Sequence, residues 1–324
     1  MPAPSPIAPP PAAGAPSARV TGGGEVERAV ERRALLMFVA SSTAFGVMAF
    51  CAKLASARGV GGAEVAALRF ASGLVPVLLS RRLRLRALTW QRRDLLFYRG
   101  FFGGTAVLLY FLAIDHVPVG LATLLNYTSP VFAGLFAALF IGEPVQPRVL
   151  PALAVALAGV FLVVRAHGGE AGIGAVGPWA VVGLVSAALS GAAVTAIRMA
   201  RRTEGSWAIY TSFNAIGLLV TLPFALAAWS SPGPAGWLAL LGVASFSMIA
   251  QLLMTHAYRW IDNLRAGVVQ QLAVFVAMAM GAAFLDERVT TGSLLGSLLT
   301  VAGVVAVVAG RGRRAASAEA AADG

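Results

Sequence analysis

Five residues with hydrogen-bonding or helix-breaking character, Asn126, Tyr127, Thr128, Ser129 and Pro130, stand together halfway along an apolar run. Pro130 has no N–H, so the carbonyl of Asn126, four residues earlier, loses its normal helical donor. A freed carbonyl beside an amide side chain and the Ser129 hydroxyl is a ready hydrogen-bonding site for a polar solute. A constant offset carries Asn126 and Tyr127 onto Gln270 and Gln271, a second amide-bearing pair at equivalent depth. Polar side chains deep in apolar spans face either a cavity or a partner helix. The pairing of the two clusters fits the lining of one central cavity, and the alternative is that they bond helices together. Tyr110, Tyr210, Asn214, Gln251 and His256 are further polar side chains inside apolar runs that would complete the wall. His256 either relays a proton or is a packing residue.

Cations add charge to this chemistry. Arg69 lies about six residues into its run, roughly 9 Å deep at the helical rise, and Glu64, five positions back, does not share its helical face. It either pairs with another helix or meets an anionic ligand group. Lys53, Arg99 and Arg198 lie nearer the ends of their runs and are expected to snorkel, with Arg99 a candidate ligand contact as well. No Asp or Glu occupies the middle of any run. Glu143 and Glu287 sit at corners between runs, where an acid favours the N-terminus of the following helix. His116, His167 and His256 are scattered, with no nucleophile, paired acid or metal-ligand spacing around them, which argues against an enzyme. No cofactor or metal is expected.

The elements that must position these residues are long apolar helices. The 324 residues are 58% hydrophobic and 12% charged, with a mean hydropathy of +0.79, too little polar surface for a soluble body of this size. Ten runs are long enough to cross a bilayer as helix: 34–56, 63–80, 95–114, 118–141, 148–164, 177–199, 206–229, 235–258, 264–285 and 291–310. Tyr110 to Val164 aligns without a gap on Met254 to Val308, with Phe140 on Phe284, Glu143 on Glu287 and Gly159 on Gly303. Upstream, Ser41, Gly46 and Lys53 align with Ser186, Gly191 and Arg198 after a one-residue drift. Five runs per repeat is an odd number, so the second half must enter the membrane inverted relative to the first. Inverted repeats recur in transporters, whose sites lie near mid-membrane where the repeats meet.

The net charge of +11 is distributed by topology. Arg28, Arg32 and Arg33, the cluster Arg81, Arg82, Arg84, Arg86, Arg92 and Arg93, then Arg201, Arg202, Arg311, Arg313 and Arg314 all fall on one side of ten spans. The other side holds Arg58, Arg165 and Arg288, so both termini are expected in the cytoplasm of an inner-membrane, multi-pass protein. The bilayer accounts for these charges, and no nucleic-acid partner is expected. Residues 1–33 and 311–324 are expected as cytoplasmic tails without regular structure, flanking five-helix repeats over 34–165 and 177–310. The lone Cys51 excludes an intramolecular disulfide. Pro76 and Pro223, in corresponding runs, and Pro130 are candidate hinges. Small residues four apart, Ala154 with Ala158 and Gly292 with Gly296, fit either internal packing or a homodimer face.

The corner pattern Ala122 to Tyr127, Pro130, Phe140-Ile141-Gly142-Glu143 and Gly159-Val160, with its degenerate copy ending Phe284-Leu285-Asp286-Glu287, resembles the drug/metabolite transporter superfamily in its EamA-type ten-helix form. Arg99-Gly100 followed by Gly103-Gly104 also looks like one branch of that family. The resemblance covers 34–310 and implies an all-α membrane protein and a secondary transporter with a central cavity. Two departures stand out: Val274 occupies the place of Pro130, which puts a hinge in span nine in question, and Asp286 replaces a glycine. With amides, hydroxyls and Arg69 in place of a buried acid, the expected substrate is a small polar metabolite, an amino acid or related organic anion or zwitterion. The alternatives are an exporter of cationic or amphipathic drugs, or a membrane-embedded enzyme.

Overall fold

The computed structural model describes residues 23–87, 90–141, 149–168, 173–257 and 268–322, and within them the chain is helical without strands. The helices are α1 (Gly23–Ser56), α2 (Gly62–Leu79), α3 (Arg81–Ala87), α4 (Arg93–His116), α5 (Val119–Asn126), α6 (Ser129–Ile141), α7 (Val149–Gly168), α8 (Ile173–Ala200), α9 (Ser206–Ala227), α10 (Pro234–Ala257), α11 (Leu272–Phe284) and α12 (Thr291–Ala322). Seven stretches are long and apolar enough to cross a membrane, and three shorter apolar helices, Ala154–His167, Val268–Phe284 and Thr291–Ala306, occupy the places of spans five, nine and ten. The helices run unbroken through Pro76 and Pro223.

Several expectations change. Residues 23–33 and 311–322, expected as unstructured, are helical. The first carries Glu25, Arg28 and Glu31 at three-residue spacing and the second is alanine-rich, and both patterns extend a helix already nucleated by its apolar part. Span four is two helices, because the chain turns at Tyr127 and Thr128. There the Thr128 N–H and hydroxyl both donate to the Leu125 carbonyl, at 3.1 and 2.6 Å. Span nine breaks at the matching place despite lacking the proline. Gln271 is a turn residue after helical 268–270, and Val274 N–H donates to Gln271 O at 3.0 Å, a three-residue bond.

The repeat reappears as pairs of equivalent contacts. Ser41 Oγ donates to Ala250 O at 2.7 Å, and its counterpart Ser186 Oγ donates to Ala106 O at 2.7 Å. A Cβ on Gly46 would strike Val276, and one on its counterpart Gly191 would strike the equivalent Phe132. Thus α1 packs on α10 and α11 while α8 packs on α4 and α6, each half lodging its first helix in the other. Residues that are their own counterparts meet directly: Gln271 Nε2 donates to Tyr127 O at 3.5 Å, and Thr300 Oγ1 to Ala156 O at 3.2 Å. Contacts that exchange this way are those of a two-fold relation. Gly296 meets the Gly159 carbonyl and Val163, so this glycine stripe serves the internal α7–α12 contact, whereas Ala154 and Ala158 face outward.

At one end of the bundle the acids are spent on helix N-termini. Both Glu287 oxygens accept the Val119 N–H, at 2.9 and 3.0 Å. The acid therefore caps α5 in the other half. Its own following helix, α12, is capped by reciprocal bonds between Thr290 and Ser293, which corrects the expectation that Glu287 serves the next helix. Asp115 accepts the Gly62 N–H at 2.7 Å, and Glu64 takes the Gly61 N–H at 2.8 Å together with Ser230. Lys53, expected to snorkel, instead donates to the Ile114 and Val117 carbonyls at the C-terminal end of α4, at 2.7 and 3.0 Å. Asp286 is held at φ 52, a left-handed conformation that explains a glycine at this place in the family pattern. Glu143 and its corner lie outside the described residues, as do the side chains of Arg198 and His256.

Candidate functional site

Close approach of α2, α4 and α9 builds the site. On α4, Gly100 and Gly104 have no side chain to hold α9 away. A Cβ at Gly104 would lie 2.7 Å from the Gly217 Cα, and one at Gly100 would strike Ile216. On α2, Gly73 leaves room for Asn214, whose Oδ1 would be 2.1 Å from a Cβ there. Phe70 of α2 meets Phe213 of α9 edge to face, with ring centroids 5.1 Å apart. These contacts bring Arg69, Arg99, Tyr210, Phe213 and Asn214 to one place.

A cavity of ≈ 10 Å³ opens there between α2, α9 and α10. Of the residues expected from sequence, Arg69, Tyr210, Asn214 and Gln251 line it. Ser72, Gly73, Phe213, Ser247 and Met248 line it as well and carried no sequence signal of their own. The volume holds about one water molecule, far below the several hundred Å³ of a metabolite pocket, so this conformation is closed around its site.

Arg69 is the dominant feature. Its guanidinium is largely buried, Nε and Nη1 are without a hydrogen-bond partner, and its Cζ lies 5.4 Å from the Phe70 centroid and 5.8 Å from that of Phe213. The phenols of Tyr210, Tyr110 and Tyr127 are its electrostatic neighbours. The one ion pair among the described residues joins Arg92 to Asp94 at the surface, at 2.7 Å. Of the two roles open to Arg69 in the sequence, pairing with a neighbouring helix therefore has no support among the described residues.

Arg99 departs from expectation. It does not snorkel toward the nearer end of α4. Its Nη1 would be 2.1 Å from a Cβ on Gly103, one turn deeper, and its Cζ sits 3.8 Å from the Phe213 centroid. Helical side chains normally lean toward the N-terminus. Here the notch at Gly103 and the Phe213 face draw the cation the other way, and its buried Nε has no partner.

The amides at the two helix breaks make interhelical bonds. Asn126 Nδ2 donates to Ser186 Oγ at 3.0 Å, joining α5 to α8. Gln271 reaches Tyr127 O, and Gln270 Nε2 lies 3.9 Å from Met254 Sδ. Tyr110 and Thr123 share a hydroxyl bond of 3.1 Å. None of Asn126, Tyr127, Ser129, Gln270 or Gln271 lines the cavity beside Arg69 in this closed conformation, nor do Tyr110 and Arg99.

A second small cavity lies where α5, α7, α11 and α12 meet, with Glu287, His167, Met278 and Ser297 in its wall. Burial pushes the Glu287 carboxyl above its ordinary range, while the Val119 N–H and nearby Lys53 and His167 pull it down.

The chain has relatives among known proteins. The profile of the EamA-like transporter family matches residues 32–165 and again residues 177–309. The pseudopaline exporter CntI of Pseudomonas aeruginosa is 29% identical over 274 residues, covering 84% of this chain and 95% of that protein. The threonine/homoserine exporter RhtA of Escherichia coli is 42% identical over 79 residues, 24% of this chain and 26% of the exporter. A protein of known crystal structure superposes with a TM-score of 0.52 at 21% identity, covering 84% of this chain and 94% of the other, which shows a shared fold.

Proposed function

The chain belongs to the EamA-like transporter family, and from that premise we propose that it is an alternating-access carrier exporting a small polar metabolite with a carboxylate or other anionic group. It is a multi-pass membrane transporter of a small molecule, not an enzyme. The finer reading places ten spans in two five-helix halves, 34–165 and 177–310, inserted in opposite orientations with both termini in the cytoplasm. The arginine asymmetry and the odd number of spans per repeat support it. Two relatives are exporters by name, which supports the outward direction.

The observation that carries the substrate reading is Arg69. A permanently charged guanidinium with unpartnered donors, beside Tyr210, Asn214 and Gln251 in an enclosed cavity, is built to receive an anionic group. A lipophilic cation would meet like charge there. The cavity must widen to take an amino acid. In this reading Asn126, Tyr127, Ser129, Gln270 and Gln271, beside the helix breaks at Tyr127-Thr128 and Gln271, come to border the cavity once it opens, with Pro130, Pro76 and Pro223 as bending points and Tyr110 in the adjoining wall. Counterflow in proteoliposomes tests this. Amino acids or organic anions should compete with the transported compound, and Arg69→Gln should weaken that competition selectively. Inhibition by lipophilic cations alone would refute it.

A further inference from the structure

The site holds two cations, and no described acid is paired with either. Arg69 and Arg99 both lie within 6 Å of the Phe213 centroid, at 5.8 and 3.8 Å, so one aromatic ring is neighbour to both. Both are partly buried, with Nε and Nη1 of Arg69 and Nε of Arg99 buried without a partner. The acids nearest in sequence are engaged elsewhere: Glu64 with Gly61 and Ser230, Asp94 with Arg92, and Asp115 with Gly62. A carboxylate pairs as a planar fork with one guanidinium, and because Arg69 lines the cavity while the Phe213 ring covers Arg99, a carboxylate held by Arg69 does not reach the second cation. A second guanidinium, held away from the membrane edge by the Gly103 notch, is left over by any singly charged substrate.

We propose that Arg69 and Arg99 act together and that the substrate carries two anionic groups, a dicarboxylate rather than a monocarboxylate zwitterion. Arg69, on the cavity wall, takes one group. Arg99 takes the other when Phe213 moves aside, since this ring lines the cavity and covers the Arg99 guanidinium. Phe213 thereby acts as a shutter over the second cation. This rests on the anionic-substrate reading above and narrows it.

Matched pairs differing by one charge provide the test. Purified full-length protein is titrated with L-glutamate and L-glutamine, and with the straight-chain dicarboxylates from malonate to adipate and their monoamides, reading ligand-induced thermal stabilisation. At least one dicarboxylate should bind roughly tenfold or more tightly than its monoamide, the scale of a lost charge-assisted contact. Arg99→Gln should bring the two affinities together by weakening the dicarboxylate far more than its monoamide, whereas Arg69→Gln should weaken both. Arg99→Lys, which keeps the charge, should restore part of the preference. Gly103→Ala, which displaces the guanidinium while keeping its charge, should reduce it. Equal affinity for each acid and its monoamide, no stabilisation by any dicarboxylate, or a preference unchanged in Arg99→Gln would overturn the proposal. Binding of monocarboxylate zwitterions through Arg69 with no dicarboxylate preferred over its monoamide would overturn it while leaving the anionic-substrate reading intact. Binding of lipophilic cations alone would sink both.

Discussion

Arg69→Met should make the protein more stable and inactive. Arg69 Nε and Nη1 are buried donors without partners, and each such group costs about 1–3 kcal/mol. Sharing the Phe213 ring puts the guanidinium carbons of Arg69 and Arg99 within about 10 Å, where like charges repel by about 1–2 kcal/mol at an effective dielectric near 20. Against this, the change forfeits two distant cation–π contacts with Phe70 and Phe213, about 0.5 kcal/mol each. Methionine keeps the apolar stem. The balance favours the variant by about 2–7 kcal/mol, a rise in Tm of about 4 °C or more at roughly 2–4 °C per kcal/mol. Thermal denaturation of purified protein, paired with proteoliposome uptake, reads both effects. A lower Tm would refute the reasoning, because it would mean that Arg69 has a structural partner and is not held in reserve for a ligand.

Three other outcomes follow from the same contacts. Cysteine at Gly233, exposed before α10, should react with an impermeant thiol reagent from outside, and cysteine at Arg84, exposed on α3, should not; the reverse labelling would invert the topology. Gly104→Ala should force α4 from α9 at the Gly217 contact and cost about 1–3 kcal/mol, read as a fall in Tm, whereas an unchanged Tm would show that the helices adjust freely. Glu287 favours its protonated form in the folded protein, so its contribution to stability is full below its ordinary value of 4.5 and declines as pH rises through its raised value. Glu287→Gln keeps an acceptor for the Val119 N–H and should flatten that decline in a Tm series from pH 4.5 upward; an unaltered slope would assign the decline to other groups.

What could be foreseen from the sequence divides along the range of the causes. The break at Tyr127 was legible because Pro130 removes a donor within one turn. The break at Gln271 was not, since Val274 still has its N–H and bonds only three residues back. Arg69 stood out in the sequence because the question was local: no acid lies on its own helical face. Arg99 was misjudged because distance from a helix end says nothing of which way a side chain leans, and here Phe213, on another helix, decides it. Phe213 itself gave no warning, since an aromatic in an apolar run looks the same facing lipid or a cation. The amides at the breaks were found at the right depth, but Ser186 as the partner of Asn126 depends on α8 packing against α4, a contact that only the folded chain supplies.

The two-fold pairing of contacts and the placement of charge follow different rules. Ser41 with Ala250 repeats as Ser186 with Ala106, and Gly46 with Val276 repeats as Gly191 with Phe132. These contacts are set by hydroxyls and missing side chains, and they seat the first helix of each half closely against the other half. Lys53 has a cationic counterpart in Arg198, but the Arg99 cation does not repeat. Arg99 corresponds to Val243, a buried apolar residue, at the offset that pairs Tyr127 with Gln271. A charge on the two-fold axis, or one in each half, would tie recognition to the symmetric frame. On the proposed reading, Arg69 and Arg99 in one half would let α2 and α4 set what is bound while the frame shared by both halves sets how the protein moves. Substitutions along the repeated contacts should therefore change rates for every substrate alike, and substitutions around Phe213 should change which substrates are moved.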